Sequence, residues 1–413
     1  MRPSEDQHPA HETAVLPRMT VLGTVTLLLS LHPLAGYLYL PALPALRERF
    51  AASTEATQWT LSAFLIGFGL TQLMWGWLAD RLGRRPVLLV GLMVFLVAAI
   101  GCLSASRMLE VVAWRALQGA SVAAAGVCAR ALLRDLYQPT ESVRMLSIGF
   151  SGLSAVAVAA PICGAALVAQ RGAAASFELL AAIGAAALVY VAINLPETVS
   201  DHRSGRVAQR PGMPLLRIAH HRLFRAYTAL TACTYTGHYL FLMVSSFWLI
   251  DRHELSVFQY GLVLAFGSIV HLLGTFACRR WLVTRSVRTT VAHAAWLTFA
   301  SGSTMGLLAL AGVDAAWALI APQLLYVFAH AVHQSCGQAA VMAPFPDCAG
   351  TATGLSGTVL PLVAVGVASM LAGPLSASAM ALPLGMATCA VLTAAVAWTL
   401  VQRDGALDDD GNN

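Results

Sequence analysis

Apolar windows of about twenty residues, most of them free of charge, recur along this 413-residue chain, and that pattern decides what it can become. At 1.5 Å per residue, a helix needs about 20 such residues to cross the hydrocarbon of a bilayer. Inside hydrocarbon every backbone N–H and C=O must be satisfied within the chain, so windows this long read as membrane helices. The windows run Met19–Leu40, Trp59–Leu78, Val87–Ala105, Met108–Leu133, Met145–Ala169 and Ala174–Leu195. After a basic linker come Tyr227–Ile250, Val257–Cys278, Val291–Gly312, Ala315–Met342, Thr351–Gly373 and Ser378–Val401. Residues 348 to 402 carry no charge and are too long for one span, so a break is expected at Gly373-Pro374-Leu375-Ser376. The count is twelve.

Composition agrees. The chain is 58% hydrophobic and 11% charged, against roughly a quarter charged in soluble domains, so it lacks the polar surface that water demands. In a soluble protein the net charge of +5 would point to an anionic partner. Here the basic residues sit in short connections at a membrane face, so the partner is the lipid bilayer and nucleic acid is rejected. All 25 basic residues are arginine, a coding bias rather than a chemistry. Cys102, Cys128, Cys163, Cys233, Cys278, Cys336, Cys348 and Cys389 form no C-x-x-C pair. They read as small buried hydrophobes, with neither disulfide nor zinc implied.

Arginine placement tests the topology. With both termini cytoplasmic, only Arg47, Arg49, Arg107, Arg171 and Arg252 fall on the far side. Arg115 and Arg130 lie inside spans, and the other eighteen of the 25 are cytoplasmic, a clear positive-inside bias. The expected division is a tail at 1–18, six helices over 19–195, a linker at 196–226, six helices over 227–401 and a tail at 402–413. The first tail is polar and expected to be disordered. The apolar run after it is too long for a cleaved signal peptide.

One connection stands out. Gly76-Trp77-Leu78-Ala79-Asp80-Arg81-Leu82-Gly83-Arg84-Arg85-Pro86 packs three arginines and an aspartate between two windows. Its spacing G-x-L-A-D-R-x-G-R-R resembles the loop between the second and third helices of the major facilitator superfamily. That resemblance implies an all-α membrane protein of twelve transmembrane helices, built as two six-helix bundles that rock about a central cavity. It also gives Gly76, Asp80, Arg81, Gly83, Arg84 and Arg85 a gating role, with Asp80 holding the two halves together. The plainer reading of Asp80 is an acid neutralised by its neighbours. A parallel repeat predicts an echo. Gly274-Thr275-Phe276-Ala277-Cys278-Arg279 supplies one at Gly, Ala and Arg, with Cys278 where Asp80 stands.

Arg115 lies about seven residues, roughly 10 Å, inside the fourth window. A lone arginine in mid-membrane costs about 2.5–3.5 kcal/mol on insertion scales, so it is expected to face a polar cavity or a partner. Snorkelling, or pinning of backbone carbonyls, is the alternative. The spacing Arg115-x-x-Gln118-Gly119 resembles the superfamily's fourth-helix motif, implicated in proton transfer in antiporters. Ala159-Ala160-Pro161-Ile162-Cys163-Gly164 resembles the antiporter signature of the fifth helix, with Pro161 and Gly164 kept and two glycines replaced by alanine. Tyr39-Leu40-Pro41-Ala42-Leu43-Pro44, Arg130-Ala131-Leu132-Leu133-Arg134-Asp135-Leu136-Tyr137 and Leu195-Pro196-Glu197-Thr198 resemble the bicyclomycin/chloramphenicol-resistance (Bcr/CflA) branch of drug:proton antiporters. That branch carries an acid in its first helix where this chain has Tyr37, and its W-R after the fifth helix is lost near Ala173-Ala174.

The proton carrier is therefore open. Glu110 and Glu178 sit at span ends, and His32, His238, His271, His330 and His333 lie in or near spans and carry the side chain whose ordinary pKa lies near neutrality. His330 and His333 share a helix face with Cys336 beyond, but a metal needs further ligands, and none is expected. No phosphate-cradling G-x-x-x-x-G-K-[ST] and no hydrolase motif occurs, so no cofactor is expected and the chain is not read as an enzyme. The resemblance implies proton-driven export of small apolar or neutral solutes across the inner membrane of a bacterium, by a monomer. Tyr37, Tyr39, Trp114, Tyr235, Tyr239, Phe241 and Tyr326 are the candidate cavity residues, with lipid-facing packing as the alternative for each. The rival readings are an uncoupled metabolite exporter or facilitator of the same fold and, remotely, a membrane metalloenzyme.

Overall fold

The computed structural model describes residues 17–137, 139–196, 213–345, 348–378 and 380–405. Most of both expected tails lies outside those residues, as does most of the linker, with Glu197, Thr198, Arg203, Arg206 and Arg210. The described elements are all helical. In order they are α1 (Arg18–Tyr37), a 3-10 turn (Leu40–Ala42), α2 (Leu43–Arg49), α3 (Thr54–Leu82), α4 (Arg84–Ser104), α5 (Met108–Leu136), α6 (Pro139–Arg171) and α7 (Ala174–Asn194). Then come α8 (Met213–His220), α9 (Arg222–Ser246), a π-helical turn (Phe247–Arg252), α10 (Val257–Leu282), α11 (Val287–Leu310), α12 (Ala316–Met342), α13 (Ala349–Ala377), α14 (Ala381–Trp398) and α15 (Leu400–Asp404).

Ten of these stretches are long and apolar enough to cross a membrane. Helices α9 and α11 are as long but carry runs of threonine, serine and histidine. They complete the twelve. Several of their hydroxyls are neutralised locally. Thr231 donates to the carbonyl of Tyr227 at 2.8 Å, Thr236 to Ala232 at 2.7 Å and Thr298 to Ala294 at 3.2 Å. These three hydroxyls close onto their own helices, whereas Thr228, Ser246 and Thr290 have buried hydroxyls with no hydrogen-bond partner among the described residues.

Three expected boundaries are corrected. The first span ends at Tyr37, because Pro41 and Pro44 suit the first turns of new helices and start the 3-10 turn and α2 instead. The break expected at Gly373-Pro374-Leu375-Ser376 is absent. Helix α13 runs on to Ala377 and the break comes after it. In lipid no water competes for the carbonyl that a proline frees, so the helix persists. Part of the linker is itself helical, as α8, and α9 starts at Arg222 rather than Tyr227.

Packing repeats itself along the chain. In the first six long helices α1 packs on α5 and α6, α3 on α5, and α4 on α5 and α7. In the last six α9 packs on α12 and α13, α10 on α12, and α11 on α12 and α14. These are the same pairs, six helices on. Between the two sets, α3 meets α13 and α6 meets α10. Those crossings are close. A Cβ on Gly261 of α10 would stand 2.5 Å from that of Ala165 and 2.8 Å from the Pro161 carbonyl.

Side chains stitch the same seam. Gln72 donates to the Gly357 carbonyl at 3.2 Å, and Thr358 to the Gly69 carbonyl at 2.8 Å. At the end of the molecule opposite the arginine-rich turn, Arg47 of α2 meets Asp251 of the π turn at 2.8 Å. Burial pushes the Asp251 carboxyl above its ordinary range although Arg47 pulls it down. Desolvation wins, so this latch is weak.

Glycines differ sharply in what they are for. On Gly119 a Cβ would lie 1.9 Å from the Phe64 carbonyl oxygen, while on Gly76 the nearest atom, of Val127, is 3.7 Å away. At Gly76 the neighbouring helix stands at ordinary contact distance. Gly119→Ala should strain the α3–α5 contact by about 1–3 kcal/mol and lower the melting temperature in detergent. Gly76→Ala should leave it unchanged. Equal melting temperatures for the two variants would contradict this packing.

Candidate functional site

Five tyrosines gather where the two helix sets meet. Tyr37 ends α1 and stands near Tyr235 of α9. Tyr239, one turn on from Tyr235, lies near both Tyr235 and Tyr39, and its hydroxyl bonds Ser62 of α3 at 2.8 Å across the seam. Tyr39 bonds Thr60 and also neighbours Tyr260 of α10, whose hydroxyl meets Ser245 at 3.0 Å. Tyr37 and Tyr235 are half-buried, whereas Tyr39, Tyr239 and Tyr260 are buried. Tyr260 and Ser62 escaped the sequence reading. Tyr260 is the one tyrosine of α10, and nothing in its spacing showed that it would join those of α1 and α9.

Arg115 of α5 lies against this junction with 0% exposure. It faces neither lipid nor open water in this conformation. Its guanidinium carbon sits 4.2 Å from the Tyr39 ring centre and 4.4 Å from that of Phe64. Nη1 donates to the Ala35 carbonyl at 3.1 Å and to Gln118 Oε1 at 2.5 Å. Desolvated cation–π contacts are worth about 2 kcal/mol or more, enough for two rings to offset an insertion cost of about 2.5–3.5 kcal/mol. Nε and Nη2 have no hydrogen-bond partner among the described residues, and neither has the Gln118 amide nitrogen. The site thus keeps spare donors.

Both rings are placed by the glycines of the two sequence motifs. Gly119 lets the backbone of Phe64 press against α5, as described above. A Cβ on Gly164 would lie 2.0 Å from the Leu38 carbonyl oxygen, so α6 presses on the residue before Tyr39. Pro161, three residues earlier in α6, carries the carbonyl that faces Gly261. One motif sets each face of the clamp.

Two expected cavity residues are elsewhere. Trp114 packs on Gly101 of α4, where an added Cβ would meet its ring at 2.2 Å. Tyr326 donates to the Thr234 carbonyl at 2.9 Å inside the α9–α12 contact. Both are wedged within one helix set, because on a 3.6-residue helix the aromatic next to a cavity residue turns away from it. Phe241 is buried, and nothing further ties it to the junction.

The arginine-rich turn is shorter than expected. Helix α3 runs to Leu82 and α4 starts at Arg84, leaving Gly83 alone between them with φ +97°, a conformation open chiefly to glycine. Arg84 is nearly buried and joins Asp80 at 2.8 Å and Asp135 of α5 at 3.0 Å. Arg85 donates to the Ala192 carbonyl at 2.9 Å, and Arg81 lies over Trp77 at 4.2 Å. The Asp80–Arg84 ion pair lies within the first helix set. Asp135 was unassigned in sequence because its partner is 51 residues away.

The carboxylate candidates move out of the membrane. Glu110 accepts from the Ser106 backbone N–H at 2.7 Å as an end cap, and Glu178 pairs with Arg171 at 2.8 Å on the exposed surface. The metal reading also fails. His330 meets Thr234 of α9 at 3.1 Å, His333 meets Thr298 of α11 at 3.1 Å, and Cys336 meets Cys278. The three diverge, and among the described residues no three His, Cys, Asp or Glu side chains are placed so that they could hold one metal ion.

Comparison with known proteins places the chain. The family described as Major Facilitator Superfamily matches residues 25–365. "Multidrug resistance protein D" of Escherichia coli is 27% identical over 82% of this chain and 85% of its own length. "Bicyclomycin resistance protein homolog" of Haemophilus influenzae is 25% identical over 92% and 96%. The solved structure of a D-xylose–proton symporter superposes with a TM-score of 0.71 at 14% identity, covering 93% of this chain and 96% of that one.

Removing Arg84 strips the guanidinium from an Asp135 side chain that is only 5% exposed. Arg84→Ala should cost about 3 kcal/mol or more, read as a fall in melting temperature. Adding Asp135→Asn should recover part of that loss. A double variant no more stable than Arg84→Ala would mean the pair is not what holds α4 to α5.

Proposed function

The chain belongs to the Major Facilitator Superfamily, and from that premise we propose that it is a secondary transporter that exports small neutral or apolar solutes in exchange for protons. The observation that carries this reading is the buried Arg115. It is clamped by two rings at the junction of the helix sets and has two donor edges left over. A solute with carbonyl, hydroxyl or nitro oxygens finds donors there and aromatic faces around it. No acid lies at mid-span in the described helices, so a lipophilic cation has no counter-charge and a neutral phenicol-like solute fits better. The names of the relatives, multidrug and bicyclomycin resistance proteins, agree with drug efflux.

The two sets of six helices, residues 19–195 and 227–401, are the moving bodies. Rocking closes one end and opens the other, as alternating access requires. The weak Arg47–Asp251 latch suits a closure that must reopen. Arginine placement puts both termini in the cytoplasm and this latch on the outer face. The protein works as a monomer in the bacterial inner membrane, and Gly76, Asp80, Arg81, Gly83, Arg84 and Arg85 stiffen the cytoplasmic corner about which the first bundle moves. Tyr37 in place of an acid favours one rival, an uncoupled facilitator of the same fold.

Everted vesicles containing the protein decide between them. An imposed pH gradient should drive chloramphenicol accumulation that a protonophore abolishes. Arg115→Ala, at equal membrane abundance, should reduce it about tenfold, the loss of roughly 1.4 kcal/mol of binding. Accumulation indifferent to the protonophore would select the facilitator. Unchanged transport in Arg115→Ala would remove that residue from the site.

A further inference from the structure

Three imidazoles from three helices meet in the second helix set. The rings of His238 (α9) and His330 (α12) are stacked with centres 5.1 Å apart and planes at 23°. The His271 (α10) ring lies 5.7 Å from that of His330. Their depths match. Each is fourteen to sixteen residues past the start of its helix, which places all three about 20 Å from the membrane surface, near the midplane.

The surroundings carry no fixed charge. Tyr235 and His238 face His330 from α9, His271 from α10, and His333 from α12 itself. His333 is held by Thr298 of α11, and α13 has no ionisable residue between Ala349 and Ala377. From α14 the titratable group at this depth is Cys389, which stands against Gly237 and Tyr326. Two features make the cluster a place for a mobile proton. His330 Nδ1 lies 3.1 Å from Thr234 Oγ1, while the buried His238 Nδ1 has no hydrogen-bond partner among the described residues. Tyr235 touches the cluster at 6.4 Å between ring centres and stands beside Tyr37 at the seam. It links the imidazoles to the junction of the two helix sets.

We propose that His238, His271 and His330 form one shared proton site at mid-membrane, and that this site takes the coupling proton that an acid of the first helix would otherwise carry. The proposal rests on the proton-coupled export reading. Only a proton moves: it arrives on an imidazole nitrogen, the ring becomes cationic, and it leaves from a ring nitrogen when the solute binds. A single proton occupies the cluster, because a second cation at 5–6 Å in so dry a setting is strongly disfavoured. His32 stands apart in the first helix set against Phe68, with ring centres 4.2 Å apart, and serves as the control.

The test uses the whole protein in liposomes on a solid-supported membrane, with no solute present. A step from about pH 8 to about pH 4, which reaches below the ordinary imidazole range because a dry setting disfavours the charged ring, should give a transient current as protons enter the site. His238→Asn, His271→Asn and His330→Asn combined should lower the displaced charge at least about tenfold, since an amide does not titrate there and at position 330 can still bond Thr234. Each single variant should lower it in part, and His32→Asn should leave it intact. In the same liposomes the triple variant should lose gradient-driven chloramphenicol accumulation but keep exchange of labelled for unlabelled chloramphenicol. No current in the wild type, or an unchanged current in the triple variant, overturns the proton site. Accumulation that survives loss of the current overturns its coupling role. A wild-type current without any chloramphenicol movement supports the proton site and counts against the export reading alone.

Discussion

A guanidinium enclosed in hydrocarbon is the constraint around which this molecule is arranged. Arg115 is fully buried with no carboxylate partner among the described residues, and what holds it is a pair of aromatic faces and two oxygen acceptors. Cation–π attraction acts within about 6 Å of a ring centre, and here both rings lie at 4.2 and 4.4 Å. That distance is set by backbone contact, not by the rings. Gly119 admits α3 and Gly164 admits α6 against the end of α1, and each contact carries one ring into place. Motifs that look separate in the chain, R-x-x-Q-G and the proline–glycine pair of the fifth span, are thus two sides of one clamp.

The clamp stands where the helix sets touch, which gives it leverage over their relative position. The seam is made of glycine crossings and a few hydrogen bonds, Ser62 to Tyr239, Gln72 to Gly357 and Thr358 to Gly69, and one ion pair that burial weakens. None of these is expensive to break singly, since a net hydrogen bond is worth about 0.5–1.5 kcal/mol. Within each set the contacts are of another kind, with continuous apolar faces and, at one corner, the Arg84–Asp135 pair. Rigid bodies joined by a weak seam can shift as bodies.

The two sets divide the polar work. The first holds a permanent cation that cannot be titrated away, since arginine stays protonated. The second holds neutral groups that bond inward, tyrosines, threonines and imidazoles, on α9 and α11, the two long helices that composition alone does not mark as apolar. A helix that lines a polar interior reads as less hydrophobic than one that meets lipid. The weakness of the hydropathy signal in α9 is therefore itself a mark of where the interior lies.

Much was legible in the sequence because it is local. Windows of apolar residues fix twelve helices, since lipid leaves the backbone no other way to satisfy itself. The depth of Arg115 and the absence of mid-span acids follow from counting along a helix. Partnerships were not legible, because they are contacts between residues far apart in the chain. No spacing reveals that Asp80 pairs within its own half, that Trp114 turns toward Gly101 while Arg115 beside it turns inward, or that Tyr260 joins the junction. The same holds for the histidines. In sequence His238, His271 and His330 were separate candidates in three spans, and His330 with His333 looked like the pair. Helix packing chose otherwise: it brought α9, α10 and α12 together at one depth and turned His333 away toward α11. One-dimensional chemistry set what each helix is, and three-dimensional packing set which side chains share a place.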